Sequence, residues 1–318
     1  MLPRAVTHFS RSVQEFSVGS ETAVQHLATT STTWDGVDVT PLLDVLEVGP
    51  DRFTCNCFHA NQNAAIYGGQ TLGLAVAAAI ATVEAHLHPH VLQVSFLAAG
   101  DVNAPLSIEV ERIQQTRRFA ARLVRLVQHG RSIAIATLSF HAGENGMEHQ
   151  QNCDPVPDPE NLMGLAQVRE AFHQRLNPIE RVFIGKTRSV DIRPADPEQF
   201  VLGRDDQARI RYWMRTTQSP NLPTRLQPAV LAYLSDFWFG ITALMPHREH
   251  KLGEDLFVSS LNHTIWFHQQ DVQADEWLLV SAHSPSTSLG RGLTLGHVHD
   301  RKGRLVATLG QEGLYRLR

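Results

Sequence analysis

The sequence predicts an α+β fold built from two copies of one unit, each a buried helix followed by antiparallel strands. Two apolar runs, one after Gly68 and one after Pro228, predict the helices, because a helix that is apolar on nearly every side must be buried. Alternating strand patterns follow both runs. Landmarks in the two halves recur at offsets of 171 to 173 residues, which indicates a duplication. These landmark pairs are Phe96 with Phe267, Leu106 with Leu278, and Gly130 with Gly303.

In the first half, residues 52–59 predict a short strand before the helix. The alanine-rich helix is expected to run from Gly68 to about Leu87, because alanine is the best helix former and Pro89 follows. Turn signals then separate four predicted strands, which form an antiparallel meander. These strands are expected at 91–97, 106–113, 119–128 and 132–142.

In the second half, one continuous helix is predicted over 228–245, again followed by strands. They are expected at 257–268, 277–283, 292–299 and 304–315. Two such units can pair their sheets edge to edge, which is the double hotdog architecture. The predicted organisation is an N-terminal extension at 1–39, a first unit at 40–143, a proline-rich linker at 144–190 and a second unit at 191–318.

Composition excludes several classes of protein. The 28 basic and 32 acidic residues give a net charge of −4, which argues against a nucleic-acid binder. The longest apolar run, 72–83, is shorter than the ~20 residues that span a bilayer, so no membrane span is expected. Three cysteines, an odd number, indicate reduced thiols and predict a cytoplasmic location. A peroxisomal or mitochondrial location stays open.

Motifs of several enzyme classes are absent from the sequence. It has no G-x-S-x-G elbow, no Walker A loop, no G-x-G-x-x-G after a strand and no H-E-x-x-H. Three histidines between residues 86 and 90 are spaced by two, but zinc needs three or four ligands fixed by further partners, so no metal site is predicted. Arg117, Arg118 and Arg122 are interpreted as a solvated face rather than as a phosphate contact.

Six segments resemble, in the same order, blocks of the type II acyl-CoA thioesterases, the TesB-like family, and the resemblance covers roughly residues 40–318. It implies hydrolysis of an acyl thioester without metal, cofactor or covalent acyl-enzyme. The segments are Tyr67–Ala78 (YGGQTLGLAVAA), Val94–Asp101 (VSFLAAGD), Leu231–Phe237 (LAYLSDF), His263–His268 (HTIWFH), Glu276–Leu279 (EWLL) and Gln311–Gly313 (QEG).

The resemblance implies a catalytic trio of Asp236, Ser260 and Gln311. Asp236 lies among apolar residues on the predicted second helix, and burial raises the pKa of a carboxyl group toward the working pH of a general base. A hydroxyl and a carboxamide can each hold a water molecule by one hydrogen bond. Asp236 is therefore expected to activate a water, which Ser260 and Gln311 position while they support the oxyanion.

Three further residues are candidates for substrate binding. Gly69 and Gln70 open the first helix, where free N–H groups and a missing side chain favour contact with a carbonyl or phosphate. Close packing of that helix is the alternative interpretation. His263 lies near Ser260 in the sequence.

The sequence departs from the family pattern at three places. Ser260 stands where the family has threonine, which keeps the hydroxyl and loses a methyl group that restricts the rotamer. Asn262 stands where aspartate is common, and Ala98-Ala99 where Arg-Pro is common. The last two departures bear on carrier recognition or substrate class rather than on the chemistry.

The expected substrate is an acyl-CoA or an acyl-phosphopantetheine on a carrier protein. Two alternatives stay open at this point. One is a hotdog dehydratase or hydratase acting on an acyl or polyketide thioester, for which His263 would be the catalytic histidine. The other is a non-catalytic acyl-binding protein in which Asp236 is structural. Assembly into a homo-oligomer also stays open.

Overall fold

The computed structural model describes residues 34–178, 180–181, 184, 188–203, 208–250 and 253–318. The predicted N-terminal extension therefore lies outside the described residues up to position 33. Residues 34–39 belong to the packed structure, because Val39 is fully buried and the Trp34 ring lies 4.6 Å from that of His59.

From residue 34 onward, the first half contains two α-helices and six strands. They are α1 (Thr40–Leu43), β1 (Leu46–Gly49), β2 (Arg52–Cys55), α2 (Gly68–Ala81), β3 (His88–Phe96), β4 (Leu106–Gln115), β5 (Phe119–Gln128) and β6 (Arg131–His141). The four strands predicted after the helix are confirmed as β3 to β6.

The connection and the second half contain three α-helices and six strands among the described residues. They are α3 (Leu165–Ala171), β7 (Val190–Pro194), α4 (Pro197–Leu202), β8 (Arg209–Thr216), α5 (Gln227–Ser235), β9 (Leu256–Phe267), β10 (Leu278–Ser288), β11 (Arg291–Asp300) and β12 (Leu305–Leu317). The strands β7 and β8 were not predicted, whereas the four that follow α5 were.

All twelve strands form one antiparallel sheet in the order β1-β2-β4-β5-β6-β3-β9-β12-β11-β10-β8-β7. The order is symmetric about the centre of the sheet, because each strand of the first half lies as far from the centre as the corresponding strand of the second half. The halves join where β3 pairs with β9, and Val94 there lies opposite His263. This confirms the predicted α+β double hotdog. The boundaries proposed for its domains stay a prediction.

The helices α2 and α5 pack against each other in opposite directions. A Cβ atom on Gly69 would lie 2.3 Å from the carbonyl oxygen of Tyr233, and one on Gly73 would lie 2.9 Å from that of Ala229. Glycine at these two positions therefore lets the helices approach closely. The packing places the N-terminus of α2 beside the C-terminus of α5.

The predicted end of α2 at Leu87 is wrong, because the helix ends at Ala81 and Pro89 lies inside β3. Two arginines donate to carbonyl groups at the C-terminal end of this helix, where intrahelical donors run out. Arg225 donates to the carbonyl oxygens of Ile80 and Val83, at 2.9 and 3.3 Å, and Arg122 donates to that of Thr82 at 3.0 Å.

Arg122 is fully buried, so its prediction as part of a solvated face is wrong. Its guanidinium also donates to Thr82 Oγ1 at 2.8 Å, Gln115 Oε1 at 2.5 Å and the carbonyl oxygen of Gln114 at 2.8 Å. These acceptors belong to this chain, so the group serves the fold.

The prediction of one continuous helix over 228–245 is wrong. The helix α5 ends at Ser235, Trp238 takes a left-handed backbone conformation with φ 61°, and a 3₁₀ helix follows over Gly240–His247. An apolar pattern cannot show such a break, because the residues on both sides of it are buried. Asp236 lies at the break, as the residue that caps α5.

The segment between the halves packs on the outer face of the second half. The carbonyl oxygen of Pro157 accepts a hydrogen bond from the indole of Trp213 at 3.0 Å, and that of Pro159 accepts one from Arg193 at 2.8 Å. Val168 of α3 is fully buried. This connection thus covers strands of the second half.

Among the described residues, the segment Thr224–His247, which contains α5 and the 3₁₀ helices on either side of it, is long and apolar enough to pass a length-and-composition test for a membrane span. In its most apolar window, 78% of the residues are buried inside the fold. A helix of a protein core has this degree of burial.

Candidate active site

A cavity of about 560 Å³ lies between the two halves, within the range of small-ligand sites. The first half lines it with the loop before α2, the start of α2 and the end of β3. The second half lines it with the break after α5, the first part of β9 and one residue of β12. The lining includes Tyr67, Gly68, Phe96, Ala98, Ala99, Ile133, Asp236, Phe237, Trp238, Ile241, Phe257, Ser260, Leu261 and Gln311.

The structure brings the three residues of the predicted trio together at this cavity. The side-chain amide of Gln311 on β12 donates one hydrogen bond to Asp236 Oδ1 and one to Ser260 Oγ, both at 2.7 Å. Gln311 is buried, and the other two residues are partly buried. Because the residues come from α5, β9 and β12, only the folded sheet and helix can assemble them.

The pKa of Asp236 is raised from 3.8 to about 7. Burial is the main cause, since it penalises the charged form of a carboxyl group. Hydrogen bonds from the side chain of Gln311 and the backbone N–H of Gly69 act in the opposite direction and keep the pKa from rising further. A group that titrates near neutral pH can both take and return a proton.

Gly68 allows the carboxylate of Asp236 to reach its position. A Cβ atom on Gly68 would lie 2.6 Å from Asp236 Oδ2, so any larger residue would displace the carboxylate. This role was missed in the sequence, although the Gly68-Gly69 doublet at a helix start was its visible signal. The doublet thus contacts the carboxylate of Asp236 directly.

The hydrogen bonds of the trio define what remains for a ligand. Gln311 uses both N–H groups, on Asp236 and Ser260, because the ionised carboxylate can only accept. Gln311 Oε1 is buried and has no partner among the described residues. The hydroxyl of Ser260 accepts from Gln311, so its own hydrogen is available to a ligand or to water.

Gly69 and Gln70 lie behind the cavity wall and are not among the residues that line it. Gln70 is fully buried; its amide donates to the carbonyl oxygens of Cys57 at 2.7 Å and Leu42 at 3.0 Å, and accepts from the backbone N–H of His59 at 2.8 Å. This arrangement agrees with the packing interpretation.

His263 also lies outside the cavity lining. It is fully buried, and its Nε2 lies 3.1 Å from Ser235 Oγ. Burial lowers its pKa from 6.5 to about 3, which keeps the imidazole neutral at physiological pH. The structure therefore does not bring His263 to the position of a substrate contact or of a catalytic acid.

The other departures from the family pattern fall in different places. Ala98 and Ala99 line the cavity. Asn262 lies outside the lining, and its amide donates to Glu312 Oε2 at 3.2 Å. Small apolar residues thus form part of one wall.

Among the described residues, no group of three or more His, Cys, Asp or Glu side chains is arranged to hold a metal ion.

Two family models match the chain. Residues 59–141 match the acyl-CoA thioesterase N-terminal domain, and residues 150–315 match the acyl-CoA thioesterase C-terminal domain. Curated relatives agree. "Acyl-coenzyme A thioesterase 8" of Mus musculus is 30% identical over 88% of this chain and 89% of its own length, and "Acyl-CoA thioesterase 2" of Haemophilus influenzae is 32% identical over 79% and 87%.

Solved structures give the same result. "Acyl-CoA thioesterase II TesB2" from Mycobacterium marinum is 29% identical, has a TM-score of 0.72 and covers 88% of this chain and 98% of its own. The dehydratase domain of PpsC from Mycobacterium tuberculosis, at 12% identity and a TM-score of 0.50, shares the fold alone. The family models in both halves of the sequence, the curated relatives and the fold agree on one assignment: the chain belongs to the acyl-CoA thioesterase family.

Proposed function

We propose that this chain hydrolyses acyl-CoA thioesters by direct attack of water, with Asp236 as the general base. One observation carries the proposal: a single amide, that of Gln311, holds Asp236 and Ser260 at 2.7 Å each on the wall of a cavity. The raised pKa of Asp236, about 7, supports its role, because a base is most effective when its pKa lies near the working pH.

The reaction balances with the groups present. Asp236 takes a proton from water as the water oxygen bonds to the thioester carbonyl carbon, and the carbonyl oxygen becomes negative. The hydroxyl of Ser260, whose hydrogen is not used by Gln311, is available to stabilise that charge. Collapse of the intermediate breaks the C–S bond, and the proton on Asp236 passes to the departing thiolate. The products are a carboxylic acid and free thiol.

The lining of the cavity suits the uncharged part of an acyl-CoA. Its apolar members include Phe96, Ile133, Ile241, Phe257 and Leu261, which suit an acyl chain. None of the described residues that line it is lysine or arginine. The lining therefore suits an acyl chain, and its described residues offer no lysine or arginine to the phosphates of coenzyme A.

The two alternative functions receive less support. The dehydratase alternative used His263 as its catalytic acid or base, but that side chain is buried away from the cavity and is neutral. The alternative of a non-catalytic acyl-binding protein is disfavoured because the family models and the relatives are acyl-CoA thioesterases.

The test is thiol release from a panel of acyl-CoA substrates, read with a disulfide dye, for the parent and Asp236→Asn. We expect kcat to fall by at least ~100-fold in the variant, the magnitude that general-base catalysis supplies. The control Asp191→Asn removes a carboxylate paired with Arg193 outside the cavity and should keep the parental rate. Unchanged turnover in Asp236→Asn would overturn the mechanism.

The rate should also depend on pH through Asp236. Because the base must be ionised, kcat/KM should rise with pH, reach half its maximum near the pKa of about 7 and level off above it. The tyrosines whose titration is coupled to this carboxylate, Tyr67, Tyr212 and Tyr315, have raised pKa values and stay neutral in this range. A flat profile between pH ~5 and ~9 would contradict the assignment.

We also propose that the enzyme works in the cytoplasm and prefers coenzyme A thioesters to thioesters on a carrier protein, because the matching family models and relatives are acyl-CoA thioesterases. The free thiols of Cys55, Cys57 and Cys153 support a reducing compartment. Parallel assays with an acyl-CoA and the corresponding acyl carrier protein would measure the preference.

A further inference from the structure

We propose that Ser235 and His263, a buried hydrogen-bonded pair, are positioning residues that keep Asp236 within hydrogen-bonding distance of Gln311 and close to Ser260. The inference rests on the proposed function, since it assigns a role in assembling that trio. Neither residue lines the cavity, so neither touches the substrate.

The direction of the hydrogen bonds in the pair follows from their partners. Ser235 Oγ donates to the carbonyl oxygen of Ala232 at 2.8 Å, which uses its single hydrogen. The contact of 3.1 Å to His263 Nε2 therefore needs the imidazole as donor. His263 then carries its hydrogen on Nε2, and its buried Nδ1, which has no partner among the described residues, is an unprotonated acceptor.

The pair joins the three elements that carry the trio. Ser235 is the residue before Asp236, at the last turn of α5. His263 lies three residues after Ser260 on β9 and directly opposite Gln311 on β12. The hydrogen bond between them thus fixes the end of the helix against both strands.

The break after α5 explains why such a tie is needed. The chain leaves the helix at Asp236, and the left-handed conformation of Trp238 two residues later is costly for a bulky side chain. The continuing backbone therefore gives Asp236 no helical support on its C-terminal side. A donor from the sheet to Ser235 supplies a support on the N-terminal side.

The test compares variants that remove the bond with one that keeps it. Ser235→Ala and His263→Met remove it, and each should lower kcat by about tenfold with KM changed less than about twofold, because the base is displaced while the cavity lining stays. His263→Gln carries an amide N–H close to the position of Nε2 and should retain most of the rate. His283→Met, an exposed histidine on β10, is the control.

The double variant Ser235→Ala/His263→Met gives the sharpest readout. If the residues act as one unit, its kcat should equal that of either single variant within about twofold, and independent losses would multiply. Parental kcat in both single variants, or an equal loss in His263→Gln and His263→Met, would overturn the inference.

Two further results keep the test independent of folding and of the proposed function. If a variant fails to fold, nitrogen-15 spectra of the parent's imidazole groups decide: His263 should stay in the neutral Nε2–H form from about pH 5 to about pH 8, and any other form there would overturn the inference. If Asp236→Asn keeps its turnover, the proposed function fails. If it loses turnover while both single variants keep theirs, this inference alone fails.

Discussion

The two main helices of this protein occupy equivalent places in the two halves but end in different ways. The helix α2 runs without interruption over Gly68–Ala81, and arginines bind the free carbonyl groups of its last turn. The helix α5 is shorter, ends at Ser235, and is followed by a partly buried carboxylate and a tryptophan with φ 61°. Arginines thus bind the end of α2, whereas the end of α5 carries Asp236, the proposed general base.

This difference shows how a duplicated fold divides its tasks. All three members of the trio come from the second half, whereas the first contributes cavity wall and the start of α2. That start supplies the backbone N–H of Gly69 and the free space at Gly68, both directed at Asp236. The regular half thus shapes the surroundings of the base that the irregular half holds.

The largest effect expected from the first half is that of Gly68→Ala. Its Cβ atom would lie 2.6 Å from Asp236 Oδ2, so the carboxylate must move, and a misplacement of about 1 Å can lower kcat by about 100-fold. Steady-state kinetics with an acyl-CoA measures this loss.

The matched control is Gly49→Ala in β1, where an added Cβ atom meets nothing within 4 Å. That variant should keep the parental rate. Alanine favours a helix over glycine, so the thermal stability of Gly68→Ala should fall little. Parental kcat in Gly68→Ala would break the comparison, because the first half would then have no part in placing the base.

A smaller loss is expected in the second half from Ser260→Ala, about tenfold in kcat, since it removes one hydroxyl from the trio. Ser260→Thr keeps the hydroxyl and should stay close to the parent. Ser259→Ala changes a neighbouring residue that also lines the cavity but does not contact Gln311, and serves as the control. Equal rates in Ser260→Ala and Ser259→Ala would remove Ser260 from the mechanism.

Much of the fold could be predicted because its signals are local or repeated. Alternating patterns gave the four strands after each helix, and constant offsets gave the duplication. The break after α5 could not be predicted, since Trp238 and its neighbours are as apolar as a continuous buried helix. The strands β7 and β8 and the burial of Arg122 depend on contacts with segments distant in sequence, which no local pattern records.

The candidate site divides in the same way. The trio followed from a resemblance, and the structure brings its members within hydrogen-bonding distance. The expected substrate contacts of Gly69 and Gln70 assumed that the N–H groups and the space at a helix start stay open to a ligand, but Gly69 donates to Asp236 and packs against α5, and the Gln70 side chain binds backbone carbonyl groups. The contact expected of His263 assumed that nearness to Ser260 in sequence gives a shared surface, but neighbouring side chains on a strand point in different directions, and His263 faces the interior.

The last prediction concerns stability, and it sharpens the comparison by measuring what burial of the Asp236 carboxyl costs the second half. The pKa of Asp236 is raised from 3.8 to about 7, so the folded state favours the protonated carboxyl. Below about pH 4 the group is protonated in both states and costs nothing. As pH rises from about 4 to about 7, the unfolded chain ionises first, and the free energy of unfolding falls by roughly 2–4 kcal/mol. Above about pH 7 both states are ionised and the penalty is constant.

Asp236→Asn lacks this titration, so its Tm relative to the parent should increase by a few degrees between about pH 4.5 and about pH 8. Calorimetry measures this difference. A constant difference would show that the carboxyl is not destabilised by burial, and that the second half holds its base at no cost to the fold.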